Sequence, residues 1–194
     1  MHKKARILLY SSNIWYFGEG LLGPLFAVFS QKIGGNVLDI AWGWAIYLIV
    51  SGLFEIAVGK FSDGKVDKAK LMLAGYALNA AATFGYLLVN SQLQFFALQV
   101  MLGIATALAT PTWDALYSKY SDKNNEGFAW GLADGDAKII TGVSAILGGT
   151  IVSFIGFTWL FFIMGLLQTG ATLLQAVMFE EEKMVALEKS GKLI

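Results

Sequence analysis

Residues 40–61 read IAWGWAIYLIVSGLFEIAVGKF, a stretch of twenty-two residues in which only Glu55 and Lys60 carry charge. An α-helix rises about 1.5 Å per residue, so roughly twenty apolar residues cross the ~30 Å hydrocarbon core of a bilayer. A helix also satisfies its own backbone hydrogen bonds, which lipid cannot do for it. The stretch therefore reads as a transmembrane helix.

Five further runs of similar length lie on either side of it: Ile7 to Ser30, Leu71 to Val89, Phe95 to Tyr117, Phe128 to Ile155 and Trp159 to Phe179. Short links join them, which makes consecutive spans antiparallel neighbours. The expected fold is an all-α integral membrane protein, a six-transmembrane-helix bundle over residues 1–179. Residues 180–194, opening on Glu180, Glu181 and Glu182, are expected to form a solvated cytoplasmic tail.

Composition agrees. The 194-residue chain is 56% hydrophobic and 14% charged, whereas soluble domains carry about 25% charged residues. It has no cysteine and a single histidine, His2. Thiolate or imidazole metal sites, Cys-His pairs and Ser-His-Asp triads therefore cannot be assembled from its residues. No metal and no cofactor are expected, and the balance of fourteen basic against fourteen acidic residues gives no sign of a nucleic-acid partner. The first run follows Lys3, Lys4 and Arg6, as a signal peptide would. It nevertheless continues to Ser30, contains Glu19 and lacks a small-residue cleavage site, so it reads as a retained helix.

Lys and Arg stay cytoplasmic on insertion. Three precede the first span, four lie at the second link (Lys60, Lys65, Lys68, Lys70), two at the fourth (Lys119, Lys123) and three in the tail. Those twelve fall on one side. Lys32 alone lies opposite, and Lys138 is within the fifth span. Both termini are expected to be cytoplasmic, in a plasma or inner membrane. Ala41-Trp42-Gly43 opens the second span and Ala129-Trp130-Gly131 the fifth, a relation that a three-plus-three inverted repeat would produce.

The second link carries Gly59, Asp63 four residues later, and then Lys65, Lys68 and Lys70 before the third span. This resembles the signature loop of the major facilitator superfamily, with lysines where the family carries arginines. Gly103-Ile104-Ala105-Thr106-Ala107 and Pro111-Thr112-Trp113-Asp114 in the fourth span, Gly148-Gly149 in the fifth, and Gly156-Phe157-Thr158-Trp159 after it are similar to the same superfamily. Together they match its N-terminal six-helix half. The fifth span lacks the Gly-Pro pair of the drug-antiport version. The resemblance implies that the first and fourth spans line a cavity, that the third and sixth lie outermost, and that solute binds between two halves. It further implies that Asp63, with Gly59, Lys65 and Lys68, gates the cytoplasmic side by meeting a helix of the opposite half. If six spans are the whole molecule, two parallel copies would complete the cavity.

A charge near mid-bilayer costs about 2.5–3.5 kcal/mol on insertion scales and so marks a candidate site. Glu19 lies near the middle of the first span among Gly18, Gly20, Gly23 and Pro24, and shares a face with Ser12, Tyr16 and Gly23. It is the first candidate for a proton or substrate site, with Asp114, Tyr16, Asn13 and Trp113 as companions; structural bonding to a neighbouring helix is the alternative. Asp134 and Lys138, four apart on a face continued by Thr141 and Gly148, are candidates for an interface, with Gly148 and Gly149. An intrahelical ion pair between them is the plainer reading. Asp136, on another side, could snorkel to the cytoplasmic surface. Asn79, Gln168 and Gln175 read as structural bonds between helices.

The expected function is transport of a small-molecule solute by alternating access. The expected assembly is a parallel homodimer in contact with membrane lipids, with possible proton coupling through Glu19. The alternatives are half of a split transporter that needs a different partner, or an accessory membrane protein that transports nothing. An enzyme acting on lipid would need an acid/base pair at headgroup depth, for which only Asp134 and Asp136 qualify.

Overall fold

The computed structural model describes residues 3–64 and 66–189. His2, Lys65 and residues 190–194 of the expected tail lie outside the described residues. The described chain is helical throughout: α1 Lys3–Leu22, α2 Leu25–Lys32, α3 Val37–Ser62, α4 Lys68–Gly85, α5 Gln92–Tyr120, α6 Glu126–Ile155 and α7 Phe157–Lys189. Five stretches are long and apolar enough to cross a membrane: Val37–Ser62, Lys68–Leu88, Gln92–Tyr120, Lys123–Ile155 and Phe157–Val177.

Two boundaries differ from expectation. The first span, expected as one helix over residues 7–30, is broken between α1 and α2. Gly23 takes φ 22°, and Pro24 lacks the N–H that would continue the helical ladder. At the other end, α7 does not stop at Phe179 but continues to Lys189. A helix carries its backbone bonds with it into water, so the three glutamates need not end it.

Local chemistry sets the other ends. Asn36 opens α3 with a reciprocal cap: its side-chain oxygen accepts from the N–H groups of Leu38 (2.7 Å) and Asp39 (3.1 Å), and its own N–H donates to Asp39 Oδ2 (2.9 Å). Asp67 caps α4 by accepting from Ala69 and Lys70 N–H at 2.9 and 3.2 Å. Between α6 and α7 stands the single residue Gly156, whose φ of 85° is one that a side chain would resist.

The helices pack in the spatial order α3, α5, α4, α7, α1, α6, each against the next. Two apolar clusters fill the interior. One joins Leu8, Leu9, Met72, Leu116, Tyr117 and Ala133. The other joins Leu21, Phe29, Phe95, Leu102, Phe161 and Met164. Tyr86 stacks on Phe161 in the second cluster, centroids 4.7 Å apart at 13°. Close approach of α1 and α6 depends on glycine. A Cβ on Gly148 would run into the Leu21 carbonyl, and one on Gly20 would meet Ser144 and the Thr141 backbone.

Candidate functional site

A cavity of about 540 Å³ opens among α1, α3 and α5. Ser12, Trp15, Tyr16 and Glu19 reach it from α1, Trp44 and Tyr47 from α3, and Gln99, Thr106, Thr110 and Trp113 from α5. Phe26, Tyr76, Tyr86 and Thr141 also line it, and among the described residues none of α7 does. The lining therefore comes mainly from α1 and α5, with Tyr76 of α4 and Tyr86 just beyond it also reaching the cavity.

The side chains follow from helical spacing. Ser12, Tyr16, Glu19 and Gly23 recur every three or four residues, so one face of α1 and its end fronts the cavity. On α5 the recurrence Gln99, Leu102, Thr106, Ala109/Thr110, Trp113 does the same.

Among the described residues Glu19 is the only carboxylate in the lining, and no Lys, Arg or His accompanies it. Its Oε1 accepts a hydrogen bond from Asn79 Nδ2 on α4 at 3.1 Å and another from Gln168 Nε2 on α7 at 3.4 Å. Gln168 Nε2 also donates to the Trp15 carbonyl at 3.0 Å. Asn79 and Gln168 are almost fully buried, at 1% and 0% exposed. One oxygen of Glu19 is thus held by two donors, one from α4 and one from α7. Sequence reasoning treated Asn79 and Gln168 as structural and did not connect them with Glu19. The available signal was that each is an amide in an otherwise apolar stretch of a span.

Several of the other polar tips are bonded within the protein. The Tyr47 hydroxyl and Thr106 Oγ1 are 3.2 Å apart. Gln99 Nε2 donates to the Tyr86 hydroxyl at 3.0 Å, and Trp113 Nε1 donates to the Leu8 carbonyl at 3.2 Å. These bonds fix the rings and leave aromatic surface towards the cavity.

Other predicted residues lie elsewhere. Asp114 is exposed and outside the lining, because one residue of helix turns it about 100° from Trp113. Asn13 is also outside the lining; it faces α6, where its Nδ2 donates to Asp136 Oδ2 at 3.5 Å. Asp136 accordingly bonds to α1, a contact that the sequence reading, which had it snorkelling, did not foresee.

Asp134 and Lys138 are both exposed, and no ion pair joins them among the described residues. The expected intrahelical bridge is not made. Gly148 is buried in the α1–α6 contact of its own chain, so it is not available to a second copy, whereas Gly149 has open space where a Cβ would go. In the second link, Gly59 has similar open space. Lys68 Nζ lies 3.4 Å from Asp63 Oδ1 and also donates to the Ser62 carbonyl, with the Asp63 side chain 87% exposed.

In the link between α5 and α6, Asp122 accepts from the Asn125 side chain at 3.0 Å and from Asn124 N–H at 3.0 Å. These two bonds hold its carboxyl below the usual carboxylate range, the side-chain bond contributing most.

The family model described as Major Facilitator Superfamily matches residues 8–192. An uncharacterised MFS-type transporter of Methanocaldococcus jannaschii is 21% identical over 181 residues, covering 93% of this chain and 47% of that protein. The quinolone resistance protein NorB of Staphylococcus aureus is 21% identical over 158 residues, 80% of this chain and 33% of its own length. Among solved structures, the POT family transporter PepTSo superposes with a TM-score of 0.71 at 12% identity, covering 91% of this chain and 37% of that one. The chain thus spans about half the length of the first of these relatives and a third of the second.

Proposed function

The chain belongs to the Major Facilitator Superfamily, and from that premise we propose that it is a secondary transporter of a small solute, with the aromatic cavity as its central site. The observation that carries the reading is that cavity: about 540 Å³, within the usual range for small-molecule sites, holding one carboxylate in a multi-pass membrane protein. Alternating access and proton coupling through Glu19 belong to the same proposal.

The proposed membrane architecture has six spans, with α1 and α2 together forming the first, and both termini cytoplasmic by the count of Lys and Arg. The packing favours a three-plus-three repeat. α5 lies against α3 and α4 as α1 lies against α6 and α7, and α4 meets α7. Exchanging the first span with the fourth, the second with the fifth and the third with the sixth turns each of these contacts into another of the set.

We propose further that a second copy completes the cavity through α3 and α6. In both helices only 11% of the membrane-length window is buried, against 44%, 44% and 39% for α4, α5 and α7. Gly52 and Gly59 on α3, and Gly135, Gly142 and Gly149 on α6, recur at intervals of seven with open space beside each. Such stripes let helices approach closely in lipid. Asp134 and Lys138 border the α6 stripe.

Transport is tested by counterflow in proteoliposomes with a panel of cationic, neutral and anionic solutes. Saturable exchange of any one supports the reading, and absence of exchange for all of them sinks it. Proton coupling predicts that Glu19→Gln abolishes accumulation under a pH gradient; unchanged accumulation removes Glu19 from that role. The dimer is tested on the cysteine-free background: Gly142→Cys should form a disulfide-linked pair in membranes, whereas Gly165→Cys, facing Phe84 inside the chain, should not.

The coverage of 47% of the M. jannaschii protein also favours a second reading, in which the other half is a different chain. A particle that gains a second, unlike chain and never holds two like copies would select it.

A further inference from the structure

A second cavity, of about 280 Å³, lies at the end of the bundle away from the start of α1, where the end of α2, the link after α4 and the start of α7 meet. Its floor is aromatic and closely packed. Phe29 meets Phe161 edge to face at 4.7 Å, Tyr86 stacks on Phe161, and the three are 4%, 2% and 4% exposed. Its polar wall consists of Lys32, Asn90 and Thr158, with no carboxylate among the described lining residues.

Lys32 is the one Lys or Arg expected on this side of the membrane, where insertion selects against positive charge. Its Nζ lies 5.2 Å from the centroid of the Phe157 ring, which also lines the pocket, and it forms no ion pair among the described residues. The Asn90 side chain and the Thr158 hydroxyl likewise have no hydrogen-bond partner among the described residues. Asp39, the acid nearest to Lys32 in sequence, accepts the Asn36 N–H in the α3 cap and lies outside the lining. An ammonium, an amide NH₂ and a hydroxyl on one wall are a donor set suited to phosphate oxygens.

The rim points to the source of that phosphate. Leu87 in the lining is 39% exposed, its neighbour Leu88 78%, and Trp159, next to Thr158, 55%. These side chains stand at the ends of α4 and α7, away from the α3 and α6 faces assigned above to a second copy, so lipid is what meets them. A Trp at such a level is the usual anchor between headgroups and acyl chains.

We propose that this pocket holds the phosphodiester headgroup of an anionic phospholipid, with Lys32, Asn90 and Thr158 on the phosphate and the acyl chains running past Leu87, Leu88 and Trp159. Net-anionic headgroups are preferred because the wall offers no acid to a choline or ethanolamine group. The pocket's depth in the bilayer rests on the six-span architecture proposed above; the identity of the transported solute does not enter.

The test is photolabelling of the full chain in proteoliposomes. Trace phosphatidylglycerol carrying a diazirine near the carbonyl end of one acyl chain is compared with phosphatidylcholine carrying the same chain, and adducts are mapped by peptide mass spectrometry. Phosphatidylglycerol should label Leu87, Leu88 and Trp159 about fivefold more than phosphatidylcholine, the factor expected of one lysine facing an anionic lipid. Lys32→Gln should lower that labelling to the phosphatidylcholine level while labelling of α3 and α6 stays unchanged, which reports a folded variant. Thr158→Val should lower it in part. Equal labelling by the two lipids, or undiminished phosphatidylglycerol labelling in folded Lys32→Gln, overturns the site and leaves the six spans standing. Labelling of none of the three residues by either lipid overturns both. Millimolar glycerol phosphate separates the two sources of phosphate: adducts that persist support the lipid, and adducts that it displaces overturn the lipid in favour of a soluble phosphate ester.

Discussion

Asn79 of α4 donates its side-chain amide to Glu19 of α1 across 3.1 Å, although sixty residues separate them in the chain. With Gln168 of α7 this makes a three-helix polar contact, set between two apolar clusters. The bond ties a cavity residue to helices that do not themselves carry the cavity charge. Solute or proton binding at Glu19 would therefore be felt at the α1–α4–α7 seam as well as at the wall.

Removing the Asn79 donor leaves a buried acceptor short of a partner, which typically costs about 1–3 kcal/mol. Asn79→Leu should lower the unfolding midpoint in detergent and weaken any solute affinity that depends on Glu19. An unchanged midpoint together with unchanged affinity would show that the bond positions nothing.

Gln175, fully buried on α7, makes no hydrogen bond of good geometry through Nε2 or Oε1, although the Tyr76 hydroxyl lies beside it. Replacing an unsatisfied amide with an apolar group of similar shape is near neutral or stabilising. Gln175→Met should keep or raise the thermal midpoint of the purified protein. A loss of more than about 1 kcal/mol would mean that the amide is paired, with the Tyr76 hydroxyl as the nearest partner.

Neighbouring glycines on α6 should behave oppositely. Gly148→Val forces a side chain into the Leu21 backbone and should destabilise the monomer by about 1–3 kcal/mol or more. Gly149→Val meets open space within the chain, so its effect should appear in the oligomeric state, read by native mass spectrometry, and not in monomer stability. Equal destabilisation by both would contradict the α1–α6 packing.

Asp63 pairs with Lys68 at an exposed site, where an ion pair is worth at most about 1 kcal/mol. Asp63→Asn should therefore leave the unfolding midpoint nearly unchanged. If counterflow falls sharply in the same variant, the loss belongs to a gating contact beyond this chain and not to folding. Normal counterflow would remove Asp63 from the gate.

The α5–α6 link should depend on acid. Hydrogen bonds from Asn125 and Asn124 lower the Asp122 carboxyl below its unfolded value, so the ordering they provide is fully present above the unfolded carboxylate range and lost as pH falls through the lowered one. The protection of the Asn124 amide, taken as its exchange rate relative to the intrinsic rate, should fall on acidification, and Asp122→Asn should remove that pH dependence. Exchange that is indifferent to pH after correction for the intrinsic rate would refute the cap.

Much of the chain could be read without coordinates. Runs of some twenty apolar residues, as at residues 40–61, determine helices of membrane length, because lipid leaves the backbone no other partner. Period 3.6 placed Ser12, Tyr16, Glu19 and Gly23 on one face of α1, and the cost of charge in lipid singled out Glu19. The Gly23-Pro24 pair also marked a bend in the first span, although not that it would divide the helix in two.

Periodicity assigns residues to faces but does not say what each face meets. Only the tertiary structure decided that Trp113 fronts the cavity while Asp114 does not, and that Gly148 belongs to α1 while Gly149 stays open. Tyr47, Thr106, Asn79 and Gln168 joined the site or its support for the same reason. Their partners come from helices paired across dozens to more than a hundred residues, and such pairing is settled by the shapes of whole helix surfaces fitting together, which no local spacing records.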